Sequence, residues 1–162
     1  IINFPVALSP STVLRPATST LPSQTSSIPG FKVYRNEEWG FEFEYPENWS
    51  FQVNRSRSQL SKFELLGDSS AENYNPFNPA FIIHIVTPNF ADNAATNFRN
   101  LGAKTSNVSV ADVGGVRYEY KFEDISQIAI DIPFREYRML LGATKDNEDI
   151  FNQILATFKF LK

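Results

Sequence analysis

From Phe31 onward apolar and polar residues alternate, and the alternation sets the predicted elements. Phe41, Phe43 and Tyr45 interleave with Glu42 and Glu44, the period-two pattern of a strand with one buried face. Gly40 suits a tight turn before it, and Pro46-Glu47-Asn48 cannot continue a central strand. Ser50 to Arg55 reads as the returning strand, with Phe51 and Val53 inward. Gln59 to Leu66 reads as a further strand, ended by Gly67-Asp68-Ser69-Ser70. A polar loop with two Asn-Pro steps, Asn75-Pro76 and Asn78-Pro79, fills the interval from Asp68 to Pro79. Phe81-Ile82-Ile83-His84-Ile85-Val86 is apolar on both faces and is the expected central strand.

The period then changes. Ala91, Ala94, Ala95, Phe98 and Leu101 form a helical stripe, with Asn89 or Asp92 as the cap and Gly102 at the end. Val108 to Val113 leads into Gly114-Gly115, read as a turn. Val116, Tyr118, Tyr120 and Phe122 make a one-sided strand. So do Ile128, Ile130 and Ile132, stopping at Pro133, and Arg135 to Ala143 makes another. Asp146 can cap a helix from Asn147 to about Thr157, with Ile150, Phe151, Ile154, Leu155 and Phe158 as its apolar stripe. Short turns demand antiparallel neighbours. The expected class is α+β: one mostly antiparallel sheet with helices packed against it, with no internal repeat and no second domain.

Composition divides the 162 residues in two. Residues 1–30 hold Pro5, Pro10, Pro16, Pro22 and Pro29 among many Ser and Thr, and Arg15 is their only charge. Such a stretch favours extended chain and reads as a linker or stalk ahead of a domain over 31–162. Ile1 to Leu8 carries enough apolar side chains to dock on a groove or sheet edge. A start at Ile-Ile is read as a processed or trimmed end, with any signal or anchor upstream of Ile1. No stretch approaches the ~20 apolar residues of a membrane span.

Net charge is −3, from 15 basic and 18 acidic side chains, which argues against a nucleic-acid partner bound through a broad basic face. The absence of cysteine excludes thiolate metal sites, Fe–S clusters and cysteine nucleophiles. With one histidine, no multi-histidine site forms within the chain.

The run from Tyr34 to Trp49 resembles the start of PsbP-like domains: Gly40-Phe41, a short strand, Tyr45-Pro46, then Trp49. The close, Ile154 to Phe160, looks like the group's terminal helix, and Gly114-Gly115 before an aromatic strand fits its middle. The resemblance spans about residues 33–161. It implies a Mog1/PsbP-like α/β/α sandwich around a central antiparallel sheet. It also implies a non-catalytic module without a cofactor, serving assembly or stabilisation. Unlike the plant photosystem protein, this chain lacks a lysine-rich amino-terminal arm, which favours the uncharacterised bacterial lipoprotein branch. The expectation is an extracytoplasmic, membrane-tethered protein that meets a protein partner or complex through residues 1–30.

Candidate chemistry is sparse. His84, mid-strand among apolar neighbours, is either a ligand or metal contact in a sheet pocket or a histidine satisfied by a hydrogen bond. Glu42 and Glu44 share a face ~7 Å apart; they could hold a cation, or simply be solvated. Asp146 to Asp149 looks like a cation loop but lacks the spaced ligands and central glycine, and capping explains it better. Trp39, Tyr45 and Trp49 form either an aromatic ligand platform or the packed end of the sandwich. Tyr74 and Phe77 make the 68–80 loop a candidate contact surface. Asn48, Asn54 and Asn107 open glycosylation-type sequons. No Gly-x-Ser-x-Gly elbow supports hydrolysis, and no phosphate loop or dinucleotide fingerprint occurs.

Overall fold

A computed structural model describes residues 26–54, 60–71 and 79–162. Expectations for residues 1–25, Tyr74, Phe77 and the Asn75-Pro76 step, and for the Asn54 side chain, lie outside the described residues. The elements run β1 (Phe31–Asn36), β2 (Phe41–Pro46), β3 (Trp49–Asn54), β4 (Ser61–Asp68), β5 (Phe81–Val86) and α1 (Pro88–Asn100). After these come β6 (Lys104–Val110), β7 (Val113–Phe122), β8 (Ile125–Phe134), β9 (Tyr137–Thr144), a 3-10 turn at Lys145–Asn147, α2 (Glu148–Thr157) and β10 (Lys159–Phe160).

The α+β class and the antiparallel pairing match expectation, but there are two sheets. Seven strands lie in the order β3-β4-β5-β9-β8-β7-β6, and three in the order β1-β2-β10. Every neighbouring pair is antiparallel. β3 is therefore not the return of a β2 hairpin. β2 pairs with β1 and β10, and β3 pairs with β4. The chain turns a corner at Glu47-Asn48 because Tyr45 and Trp49 both enter the core between the sheets. Phe51 packs there too, while Val53, further along β3, is 48% exposed.

The core joins Phe41, Phe43 and Tyr45 of β2 to Phe63, Leu65, Phe81, Ile83 and Ile85 of the large sheet and to Phe151 and Ile154 of α2. Phe158, one residue past α2, stacks on Phe41 and Phe43 at centroid distances of 5.5 and 5.7 Å. The helix stops at Thr157 and the chain re-enters the small sheet as β10, so Ile154 to Phe160 is not all helix. α1 packs on the opposite face of the large sheet, against Val86, Leu140, Tyr118 and Ala129. Asp131 and Ala129, between the isoleucines of β8, are therefore buried as well, and that strand is covered on both faces.

Several boundaries differ for local reasons. Thr87 caps α1, its hydroxyl accepting from the Phe90 N–H, with Pro88 in the first turn; neither Asn89 nor Asp92 does so. Gly102 ends α1 at φ +77°, as expected. Asp146 does not cap α2; Asn147 occupies that position and donates instead to Thr144. The β6–β7 turn falls on Ala111-Asp112, both at positive φ. Gly114 and Gly115 lie inside β7, and a Cβ on Gly115 would collide with the Ile132 side chain and lie 2.5 Å from the Asp131 carbonyl oxygen. Close strand approach, not a turn, explains that glycine. Pro133 stays within β8, paired with Arg138 at the hairpin end, and the turn to β9 uses Arg135 at φ +53°.

Candidate functional site

Alternation along β5 sends Phe81, Ile83 and Ile85 into the main core and Ile82, His84 and Val86 toward the α1 face. α1 covers Val86 and Leu140 with Phe90, Ala91 and Ala94, and its Ala95 and Phe98 reach Tyr118 and Tyr120. Beside the helix the sheet surface dips. Ile82, Gly142 and Ala129 stand in one cross-strand row, and the missing side chain of Gly142 with the small one of Ala129 leaves the hollow. The resulting cleft has a volume of about 160 Å³; its walls include His84, Phe98, Tyr120, Gln127 and Leu140. Phe98 stacks on Tyr120 at 4.6 Å.

His84 stands opposite Lys62 on β4 and Leu140 on β9. Its Nε2 is buried and, among the described residues, has no hydrogen-bond partner. The hydrogen bond expected for a structural histidine is therefore missing at that nitrogen. Burial pushes the His84 pKa down to about 4, the Lys62 ammonium pushes the same way, and Glu64 opposes both. The imidazole is neutral at pH 7. Lys62 and Glu64 pair with each other at 2.5 Å, and Gln52 donates to Glu64 at 2.8 Å. On the far side of Leu140, Arg138 grips buried Asp131 through two contacts, Nε–Oδ1 at 3.0 Å and Nη2–Oδ2 at 2.8 Å. Burial raises the Asp131 pKa against the pull of Arg138. This pair escaped the sequence reading because its partners lie in a strand register that spacing does not display.

Comparison with solved structures supplies the frame. The chain superposes on the solution structure of cyanobacterial PsbP (CyanoP) from Synechocystis sp. PCC 6803 with TM-score 0.51 and 12% identity, over 87% of this chain and 98% of that one. The fold is PsbP-like. The crystal structure of LpqN, described as involved in cell envelope biogenesis of Mycobacterium tuberculosis, aligns at TM-score 0.43 and 13% identity, over 82% of this chain and 91% of that one. No family profile and no curated protein matches the sequence.

The residues that carried the resemblance sit at the junction of the two sheets in this PsbP-like fold. Phe41, Tyr45 and Trp49 are buried. Gly40 adopts φ +71°, and a Cβ there would lie 2.7 Å from the Arg135 guanidinium. Pro46 closes β2 opposite Phe31. Trp39 packs at the edge of the same core, on Phe134 and Tyr137, with its indole N–H donating to Ser61. All three aromatics therefore belong to one core, with Tyr45 and Trp49 inside it and Trp39 partly buried at its edge.

Glu42 and Glu44 do share a second cleft, with Ser27, Thr157 and Lys159. Each carboxylate is already engaged by protein groups. Glu42 pairs with Arg35 at 2.8 Å and Lys159 at 3.7 Å. Glu44 accepts from the Ser26 and Ser27 hydroxyls and from the N–H groups of Ser27 and Ile28. Burial works to raise the Glu44 pKa, but these donors outweigh it and the net shift is downward. Glu148, in the acidic run after Asp146, pairs with Arg117 and Lys145. Among the described residues no group of three or more metal-ligating side chains forms.

Proposed function

We propose that this chain is a non-catalytic, extracytoplasmic binding or assembly module, built on the α/β/α sandwich plan of its fold class. Its amino-terminal segment reaches a protein partner and, through an anchor upstream of Ile1, a membrane. The observation that carries this reading is the seat of Ser26, Ser27 and Ile28 on the buried Glu44 carboxylate. A Ser/Thr/Pro-rich stretch leads into that seat, so a pull on the segment is borne by four donors and the small sheet. On that basis the working boundary of the domain moves to Ser26, from the 30/31 junction that composition suggests. In-cell crosslinking followed by fractionation tests the reading. It expects an adduct larger than the chain in the membrane fraction, in a form that external protease reaches. A monomer confined to the cytosol would contradict it.

A second reading has its own support: the His84 cleft is a site for a small ligand. Its warrant is a buried imidazole nitrogen without a partner beside a hollow of useful size.

A further inference from the structure

The His84 cleft has a size, a wall chemistry and a polar group, and together they narrow what it takes. A dry cavity of about 150 Å³ accommodates a benzene ring, and this cleft is about 160 Å³. Ile82, Phe98, Leu140 and Ala129 make most of the surround apolar. An ion entering it loses hydration that these walls cannot replace. Lys62 and Glu64, the charged groups that act on His84, pair with each other.

The imidazole is uncharged, so one ring nitrogen donates and the other accepts. A half-turn of the ring exchanges the positions of Nε2 and Cε1. As placed, Nε2 is shielded from solvent, so a ligand reaches that nitrogen only when the ring turns. A hydroxyl, being both donor and acceptor, satisfies either tautomer. For a metal, His84 is the one strong ligand among the described lining side chains.

Resting on the second reading above, we propose that the cleft binds a neutral, single-ring organic molecule bearing a hydroxyl. The ring lies beside Phe98 and Tyr120, and the hydroxyl is hydrogen-bonded to a ring nitrogen of His84. The Glu42–Glu44 cleft differs in kind, since its carboxylates are committed to Arg35, Lys159 and the Ser26–Ile28 segment.

Because the chain has a single histidine, imidazole NMR reports the site without assignment. The experiment titrates the 162-residue chain with phenol and, separately, with toluene, which has a similar ring and no hydroxyl. Binding is followed on the His84 ring nitrogens and on the Phe98 and Tyr120 ring protons. The expected result is saturable phenol binding that moves the His84 nitrogen resonances. Toluene should bind about threefold to tenfold more weakly, the factor that one net hydrogen bond supplies. In His84→Leu phenol should lose its advantage over toluene. That comparison within wild type needs no variant, so a poorly folded His84→Leu leaves the test intact. Toluene binding as tightly as phenol would overturn the hydroxyl assignment while leaving the cleft a ligand site. Saturation by neither probe would overturn both.

Discussion

Protonating His84 is a cost that falls on the folded state, because the buried ring resists charge that the unfolded chain accepts freely. Its folded pKa, near 4, lies below the ordinary 6.5. Between those values the unfolded state binds more protons, so stability falls as pH drops from about 6.5 toward 4, and is fully present above that window. The loss is on the order of 2–3 kcal/mol; burial sets most of it, with Lys62 adding to it and Glu64 opposing. Urea unfolding across this range should show the slope, and His84→Phe should flatten it. An unchanged slope in the variant would assign the effect to other groups.

The adjacent glycines of β7 give a paired test at the same scale. Gly114→Ala meets nothing within 4 Å, whereas Gly115→Ala drives a methyl group into Ile132 and the Asp131 carbonyl. The first should be near neutral, and the second should cost about 1–3 kcal/mol as overpacking does; equal effects would refute the close-approach reading. Trp49, 6% exposed in the main core, should lose about 3–5 kcal/mol on truncation to alanine. A loss below about 1 kcal/mol would show that its burial contributes little.

Among the elements, the join between the amino-terminal segment and β2 is the one with a discrete lock. Glu44→Ala removes the acceptor for Ser26, Ser27 and Ile28 together. Amide hydrogen exchange at Ser27 and Ile28 should speed up at least about tenfold, while Phe63 and Ile83 in the core stay protected. Retained protection would mean that other contacts hold the segment. Because the Glu44 pKa is lowered, its stabilisation is present above the ordinary carboxylate range and is lost as pH falls through the depressed value.

Element identity was largely legible from the period of apolar residues, as at Phe41, Phe43 and Tyr45 or at Ala91, Ala94, Ala95 and Phe98. Capping and turn positions were legible at glycines such as Gly40 and Gly102 and not elsewhere. Thr87 competes with Asn89 and Asp92 on equal sequence terms, and Ala111-Asp112 takes a conformation that Gly114-Gly115 would have adopted more easily. His84 was recognisable because a lone imidazole breaks an apolar run. The Asp131–Arg138 clamp and the Glu44 seat were hidden, since each depends on strand register or on residues far apart in sequence.

For the whole molecule, the partition of strands into two sheets was the least readable property. β10 returns from the carboxyl end to pair with β2, an arrangement that no local pattern announces. The result places the two features of interest on different parts of the fold. The His84 cleft opens beside α1 on one face of the large sheet. The Glu44 seat lies at the small sheet, where Thr157 of α2 accepts from the Glu44 N–H. The proposed ligand site and the proposed tether point, so separated, can act independently. Residues 26–162 should therefore fold without the segment before them. The most direct test compares partner recovery from a solubilised membrane fraction by the 162-residue chain and by the chain beginning at Ser26. Equal thermal midpoints within about 2 °C, with recovery lost on truncation, are the predicted result. Undiminished recovery by the folded, truncated chain would contradict the role of the amino-terminal segment.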